Sequence, residues 1–277
     1  MQSQALVGQK HTLSTFVNSS SQTAAYLDIG CGRPLLMLHG FFGEKTCWLP
    51  LIELLQSQFR CIISLDMLGF GESSKPEIRY DVAVEVAFVR QVVEQLNIEP
   101  SCIIGHSFGG WVASAYSLKY PNAVSSLVLA APAGIRDDSF CGQYDALRPL
   151  LWETPAVDWA LQLAKPFASL AGKREKLQEI SGWRRELMSQ PVARSFLMSR
   201  MRPEDAVDTV EKEIHQLQIP TLVIAADSDE TIPLWHSETY TNEIPGTELV
   251  IIPNSTHGLP QTQAQIMAKL ISKFLDN

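Results

Sequence analysis

The stretch of this chain best suited to chemistry is Gly105-His106-Ser107-Phe108-Gly109-Gly110. It follows a strand-like run, Cys102-Ile103-Ile104, and leads into a helix-like one, Trp111-Val112-Ala113. A serine between closely spaced glycines at a strand-to-helix turn has the form of a nucleophile elbow. The turn is tight, so the residues flanking the serine must be small, and Ser107 Oγ is thrust out at the top of the sheet. The N–H of Phe108 then falls at a helix N-terminus, where negative charge developing on an oxygen is stabilised. The competing reading is a Gly-rich turn with an incidental serine, and the partners available elsewhere decide between the two.

A hydroxyl at neutral pH is a poor nucleophile and needs a base. His257 is the best candidate, because Ile252-Pro-Asn-Ser-Thr-His257-Gly258 reads as a loop just past the last strand. His11, His215 and His236 lie in segments read as strand, linker and helix. His106 is expected to point away from the catalytic direction of its neighbour. The base in turn needs an orienting acid. The strand Thr221–Ala226 ends in Asp227-Ser228-Asp229-Glu230-Thr231-Ile232-Pro233, which offers both Asp227 and Asp229. The histidines show no HxH or HExxH spacing and no CxxC occurs, so no metal site is expected.

These groups are set among alternating elements. The pattern predicts strands at Ser14–Asn18, Ala24–Ile29, 34–40, Arg60–Asp66, Ser101–Gly105, Val124–Ala130, Thr221–Ala226 and Glu248–Ile252. It predicts helices at Leu49–Gln58, Asp81–Leu96, Phe108–Lys119, Leu234–Ile244 and Thr262–Leu275. In the second of these, Val82, Val86, Val89 and Val93 mark one face. All-apolar strands alternating with helices imply a parallel sheet covered on both sides. From about Ala133 to His215 no convincing strand occurs, only helical stretches broken by prolines and glycines. That segment is too long for a loop and is expected to form a small helical cap inserted into one α/β domain. The expected division is 1–132 and 216–277 for the core and 133–215 for the cap.

Taken together, these features resemble the α/β-hydrolase family over nearly the whole chain. The matching motifs come in family order: Leu38-His39-Gly40-Phe41-Phe42-Gly43, then Asp66-Met-Leu-Gly69-Phe-Gly71-Glu-Ser73, then the elbow, then Asp229 and His257. The resemblance implies an eight-stranded, mostly parallel sheet flanked by helices, with the cap inserted after the sixth strand. It implies a catalytic triad of Ser107, His257 and Asp229, the last because the family pattern Gly-x-x-Asp-x-x-x-Pro lays onto Ala226, Asp229 and Pro233. Alanine replaces the family's glycine there, and Asp227 stays as the alternative acid. The oxyanion hole is implied to pair the backbone N–H groups of Phe41 and Phe108, with His39 bracing backbone nearby and Asp66 serving as scaffold.

Composition narrows the partners. The chain has 277 residues, 45% hydrophobic and 19% charged, and a net charge of −8. An acidic chain is a poor match for nucleic acid or an anionic membrane, which need a basic face. No apolar run reaches the ~20 residues of a membrane span. The five cysteines, Cys31, Cys47, Cys61, Cys102 and Cys141, are scattered and odd in number. Together with an N-terminus that lacks the layout of a secretory signal, they suggest the cytoplasm. No dinucleotide or P-loop fingerprint appears, and no cofactor is expected. The sequence is silent on oligomeric state.

The expected substrate is a small, apolar carboxylic ester. Phe42, Trp152, Trp159, Trp183 and Met188 are the candidates for its pocket, although cap aromatics of this kind can equally be packing. A serine at 107 is unlike the aspartate of epoxide hydrolases and haloalkane dehalogenases. Gly258 is unlike the Trp that tends to follow the histidine in carbon–carbon hydrolases of ring-cleavage pathways. The alternatives are a non-catalytic binding protein of the same fold, or a hydrolase of a thioester, amide or carbon–carbon bond.

Overall fold

The described residues of the computed structural model are 9–17, 19–30, 32–56, 61–138, 152, 154–170, 172–199 and 208–276. The strands are β1 (Gln9–Val17), β2 (Ser20–Ile29), β3 (Pro34–Leu38), β4 (Cys61–Leu65), β5 (Ser101–His106), β6 (Val124–Ala130), β7 (Thr221–Ala226) and β8 (Glu248–Ile252). They form one eight-stranded sheet in the order β1-β2-β4-β3-β5-β6-β7-β8. Pairing is parallel from β4 through β8 and antiparallel on both edges of β2. The two N-terminal strands are longer than their sequence suggests. Their polar outer residues hide the alternation, but a continuous β1–β2 ladder satisfies the backbone.

The helices are α1 (Leu49–Leu55), α2 (Val82–Leu96), α3 (Phe108–Lys119), α4 (Pro155–Leu170), α5 (Arg174–Ser189), α6 (Pro191–Ser199), α7 (Leu234–Glu243), α8 (Leu259–Thr262) and α9 (Ala264–Asp276). In α2 the four valines at 82, 86, 89 and 93 are all buried, and Asp81 caps the helix by accepting the Val84 N–H at 2.9 Å. In α3 even the hydroxyls are buried: Ser114 donates to Gly110 O and Ser117 to Ala113 O, each at 2.8 Å. One face of the sheet packs its apolar side chains, among them Leu35, Met37, Ile104, Val128 and Ile224, against Trp48, Leu51, Met267 and Ile271.

The chain divides into two compact units, one of 1–74, 81–135 and 208–277 and the other of 75–80 and 136–207. The inserted unit leaves the chain after β6 and ends before β7. It is shorter than the expected 133–215. Residues 208–214 are tied to the sheet unit, where Val210 N–H donates to Gly134 O at 2.9 Å and Trp111 Nε1 to Asp208 O at 3.1 Å. Conversely, 75–80 joins the inserted unit, with Tyr80 N–H on Ser195 Oγ at 2.9 Å and Arg194 paired to Glu77 at 2.6 Å.

Candidate active site

Four loops that follow the C-terminal ends of β3, β5, β7 and β8 carry the candidate residues. The chain order reverses between β3 and β5, and such switch points are where open parallel sheets bind ligands. Ser107 stands between β5 and α3 with φ 54° and ψ −117°. That is a strained conformation for a residue with a side chain, and it is retained where the surroundings over-determine it. Here they do. Ser107 N–H donates to Ala130 O at 3.0 Å, and Ser107 O accepts from Gly110, Trp111 and Ala133 at 3.0, 3.2 and 3.0 Å. The flanking glycines are required by close approach: a side chain at Gly105 would run into the backbone of Gly109, and one at Gly109 into the carbonyls of Leu38 and His39.

Ser107 Oγ lies 2.9 Å from His257 Nε2, and His257 Nδ1 lies 2.7 Å from Asp229 Oδ2. A carboxylate only accepts, so Nδ1 carries the proton and Nε2 is left to accept from the serine. Asp229 also accepts the N–H groups of Thr231 and Ile232 at 2.8 and 2.9 Å. Burial would raise the Asp229 carboxyl, but the bonds from His257, Ile232 and Thr231 outweigh it and hold the pKa below its ordinary value. Asp227 is turned to a different task. Its two oxygens accept the N–H groups of Asn254 and Ser255 at 2.9 and 3.1 Å, stitching the β7 loop to the loop that bears His257.

The Gly40 loop lies against the elbow: a Cβ at Gly40 would stand 3.1 Å from Ser107 Cβ. Gly40 O accepts from His39 Nδ1 at 2.8 Å and from Gly43 N–H at 3.0 Å. Met67 N–H donates to His39 Nε2 at 3.1 Å, so Nδ1 is the protonated nitrogen. Since a trans peptide is planar, fixing Gly40 O also fixes the opposed N–H of Phe41. The three donors on Ser107 O orient the N–H of Phe108 by the same logic. Both expected oxyanion donors thus sit in peptide planes that are held from behind.

Two contributions were not legible in sequence. His106 does not merely point away: its Nε2 lies 2.7 Å from His257 O, and the two rings are 4.8 Å apart. Burial, reinforced by His257, pushes His106 down to about 3, so it is neutral and donates from Nε2. Lys45 is the second. It is buried, with Nζ 2.6 Å from both Asp66 Oδ2 and Glu72 Oε2, while its N–H donates to Asp66 Oδ1 at 2.5 Å. This knot anchors the loop that begins at Gly40. In sequence Lys45 stands between Glu44 and Thr46 and carries no signal of burial.

The pocket candidates separate. Phe42 is 43% exposed beside Phe41, whose ring makes edge contacts with Phe70 and Phe108 at 5.5 and 5.2 Å. Trp111 extends this aromatic group at 6.2 Å from Phe108. Trp152 and Trp159 are 56% and 64% exposed. The side chain of Trp183 lies outside the described residues. Met188 lines a cavity of about 610 Å³ within the inserted unit, together with Pro155 and Leu161 and the polar Asp158, Gln162, Lys165, Arg184 and Arg185, and no triad residue lines it. The Arg184 guanidinium is held there by Asp158 at 2.7 and 2.8 Å. Among the described residues no cluster of His, Cys, Asp and Glu could hold a metal ion.

Comparison with known proteins places this geometry in context. A family model described as alpha/beta hydrolase fold matches residues 33–164, and one described as PhoPQ-activated pathogenicity-related protein matches 197–277. The 2-hydroxymuconate semialdehyde hydrolase of Pseudomonas sp. (strain CF600) is 30% identical over 90% of this chain and 88% of its own. Monoacylglycerol lipase abhd6-B of Xenopus laevis is 25% identical over 88% of this chain and 75% of its own. Among solved structures, the meta-cleavage product hydrolase of Pseudomonas fluorescens IP01 superposes with a TM-score of 0.70 at 26% identity, covering 95% of this chain and 97% of that one.

Proposed function

The chain belongs to the α/β-hydrolase family and is a hydrolase, and on that premise we propose that it cleaves carboxylic esters with an apolar acyl or alcohol part through a serine mechanism. The observation that carries this reading is the continuous bond line from Ser107 Oγ through His257 to Asp229, at 2.9 and 2.7 Å. Ser107 Oγ attacks the ester carbonyl as its proton passes to His257 Nε2. Negative charge moves onto the carbonyl oxygen, which the N–H groups of Phe41 and Phe108 stabilise. One such donor is worth about 3–4 kcal/mol of barrier. His257 then returns the proton to the departing alcohol, leaving an acyl-Ser107. Water, deprotonated by the same His257, releases the acid and restores the serine.

The aromatic rings of Phe41, Phe42, Phe70 and Phe108 favour an apolar group beside the reacting carbon. The Xenopus relative's name, monoacylglycerol lipase, accords with an ester substrate. The 30% identical Pseudomonas relative supports a second reading, hydrolysis of a carbon–carbon bond, against which Gly258 still counts. A cytoplasmic setting accords with the thiols of Cys47 and Cys102, which are free and which burial pushes up to about 12 and about 11.

The deciding experiment is a panel of p-nitrophenyl esters of rising acyl length, run beside a ring-cleavage dienoate, on wild type and Ser107→Ala. Ester turnover that is lost in Ser107→Ala, with fluorophosphonate labelling of wild type alone, is the expected result. Turnover of the dienoate alone selects the second reading. Turnover of neither, without labelling, overturns both.

A further inference from the structure

Helix α4 presents three different sides. Val157, Leu161, Ala164 and Ala168 are half-buried, and the helix packs on α5. Asp158, Gln162, Lys165 and Ser169 form a polar edge. On the remaining side Trp159, Leu163, Phe167 and Leu170 recur at helical spacing, exposed by 64, 72, 71 and 88%. Ala156, Ala160 and Pro166 are exposed on the same arc, so the strip is apolar along its whole length. At 150–250 Å² for a large side chain, the four leave on the order of 600 Å² of apolar surface in water. A patch of that size on one helix marks an interaction surface.

The end of the strip is cationic. Gly172 adopts φ +66° and ends α4, with Gly172 N–H donating to Ser169 O at 3.3 Å and Lys173 N–H to Ala168 O at 2.8 Å. This is a Schellman turn, in which the residue after the glycine is commonly apolar and packs back on the helix. Here that residue is the exposed Lys173, followed by exposed Arg174 and Lys176. The turn and the start of α5 therefore hold three cations against one exposed carboxylate, Glu175, just beyond Leu170. The wider charge distribution agrees. The inserted unit has thirteen Lys and Arg against eleven Asp and Glu, a net of +2, while the remainder has nine against nineteen, a net of −10.

We propose that α4 and its C-terminal turn form a peripheral docking surface for an anionic lipid bilayer. Trp159, Leu163, Phe167 and Leu170 enter the headgroup and acyl boundary, and Lys173, Arg174 and Lys176 meet the lipid phosphates. Interfacial helices bury one apolar face roughly 5–10 Å deep in this way and add electrostatic attraction through flanking cations. A second copy of the chain fits less well, since a stable dimer takes about 800 Å² from each partner and gains nothing from a cationic rim facing its own like. The acidic whole-chain charge argued against anionic membranes. That inference averaged two units of opposite sign.

The test is co-flotation of the full chain with phosphatidylcholine vesicles that do or do not contain about a third phosphatidylglycerol. The expected result is binding to the anionic vesicles at least about tenfold above the neutral ones, weakened by high salt. Leu163→Glu with Leu170→Glu should lower it by tenfold or more, as should Lys173→Glu with Lys176→Glu, with p-nitrophenyl acetate turnover unchanged in both. These positions are exposed; should the leucine variant fail to fold, the lysine variant carries the test alone. No flotation, flotation indifferent to phosphatidylglycerol, or flotation unchanged in the variants overturns the proposal. A dimer in lipid-free solution that Leu163→Glu/Leu170→Glu abolishes also overturns it and assigns the strip to a second copy.

Discussion

The imidazole Nε2 of His106 lies 2.7 Å from the carbonyl oxygen of His257, joining the residue before the candidate nucleophile to the backbone of the candidate base. The contact spans 151 positions in sequence. It ties the β8 loop to the elbow, so His257 is held both by its side chain and by its own carbonyl. The donor is a neutral ring, because burial and the nearby His257 push His106 down to about 3.

From this follows an activity expectation. His106→Ala should lower kcat by tenfold or more, with KM changed little, because the loss is in placement of the base and not in substrate contact. His106→Gln, whose amide N–H can still reach the carbonyl, should recover part of the loss. Equal kcat values for wild type and His106→Ala would show that the β8 loop holds its own position.

His106 also predicts an acid sensitivity. The unfolded chain takes up a proton here near the ordinary 6.5, whereas the folded chain does so only near 3. Stability from this group is therefore fully present above 6.5 and is lost as pH falls toward 3, by about 1.4 kcal/mol per pH unit. Thermal unfolding of wild type and His106→Gln between pH 7 and 4 should give a smaller fall in Tm for the variant. Parallel curves would assign the acid sensitivity elsewhere, with buried His39, lowered chiefly by its burial, the next candidate.

Asp229→Asn should reduce kcat/KM far more than Asp227→Asn. In a serine triad the loss of the oriented tautomer can reach about 10⁴. The Asp227 variant should instead show lower stability, because its carboxylate serves the N–H groups of Asn254 and Ser255. The Asp229 carboxyl is held below its ordinary value, so its own protonation should not set the acid limb of wild-type activity. Ester kinetics and denaturant titration on the two asparagine variants settle the ranking.

The Lys45 knot should be unequal in its parts. Lys45 and Asp66 side chains are 2% and 0% exposed, whereas Glu72 is 55% exposed. Lys45→Met leaves a buried carboxylate without its cation and should cost about 3–5 kcal/mol. Glu72→Gln removes a partner that water can replace and should cost far less. Urea midpoints measure both, and similar losses would mean that Glu72 shares the burial of the pair.

Glu85 offers a stabilising substitution. It is fully buried, one oxygen accepts Leu68 N–H at 3.1 Å, and the other has no hydrogen-bond partner. Burial raises its pKa well above the ordinary carboxylate value. Its contribution is present below the unfolded pKa and declines as pH rises toward the folded one. Glu85→Gln keeps the acceptor without a charge, and should raise stability at pH 8 by on the order of 1–3 kcal/mol while changing little at pH 4. A variant less stable than wild type at pH 8 would refute this.

Several features were legible before folding because they are local. The elbow is written in Gly105, Ser107 and Gly109, since only glycine tolerates the approach of backbone made there. The valine stripe of α2 and the apolar runs of β3, β5, β6 and β7 declared their elements, because burial on a period of 3.6, or on both faces of a sheet, leaves no room for polar residues. Strand and helix alternation, with a break after β6, was enough to suggest the fold class and an inserted segment.

Other features exist only once distant segments meet. Asp227 and Asp229 stand two residues apart and are alike in type. The course of the turn after β7 puts one on the imidazole and the other on backbone N–H groups. His106 was expected to face away from the chemistry, and its ring instead meets the carbonyl of His257. Lys45 reads as a surface cation until β4 brings Asp66 beneath it. The tryptophans of the inserted segment carry the same hydrophobicity whichever way they face. Sequence periodicity marks α4 as two-sided, but only packing decides which apolar side is covered, and it covers Leu161 and leaves Trp159, Leu163 and Leu170 in water. Local chemistry is encoded by residue type and near spacing, whereas partnership and exposure depend on contacts that the chain acquires only by closing on itself.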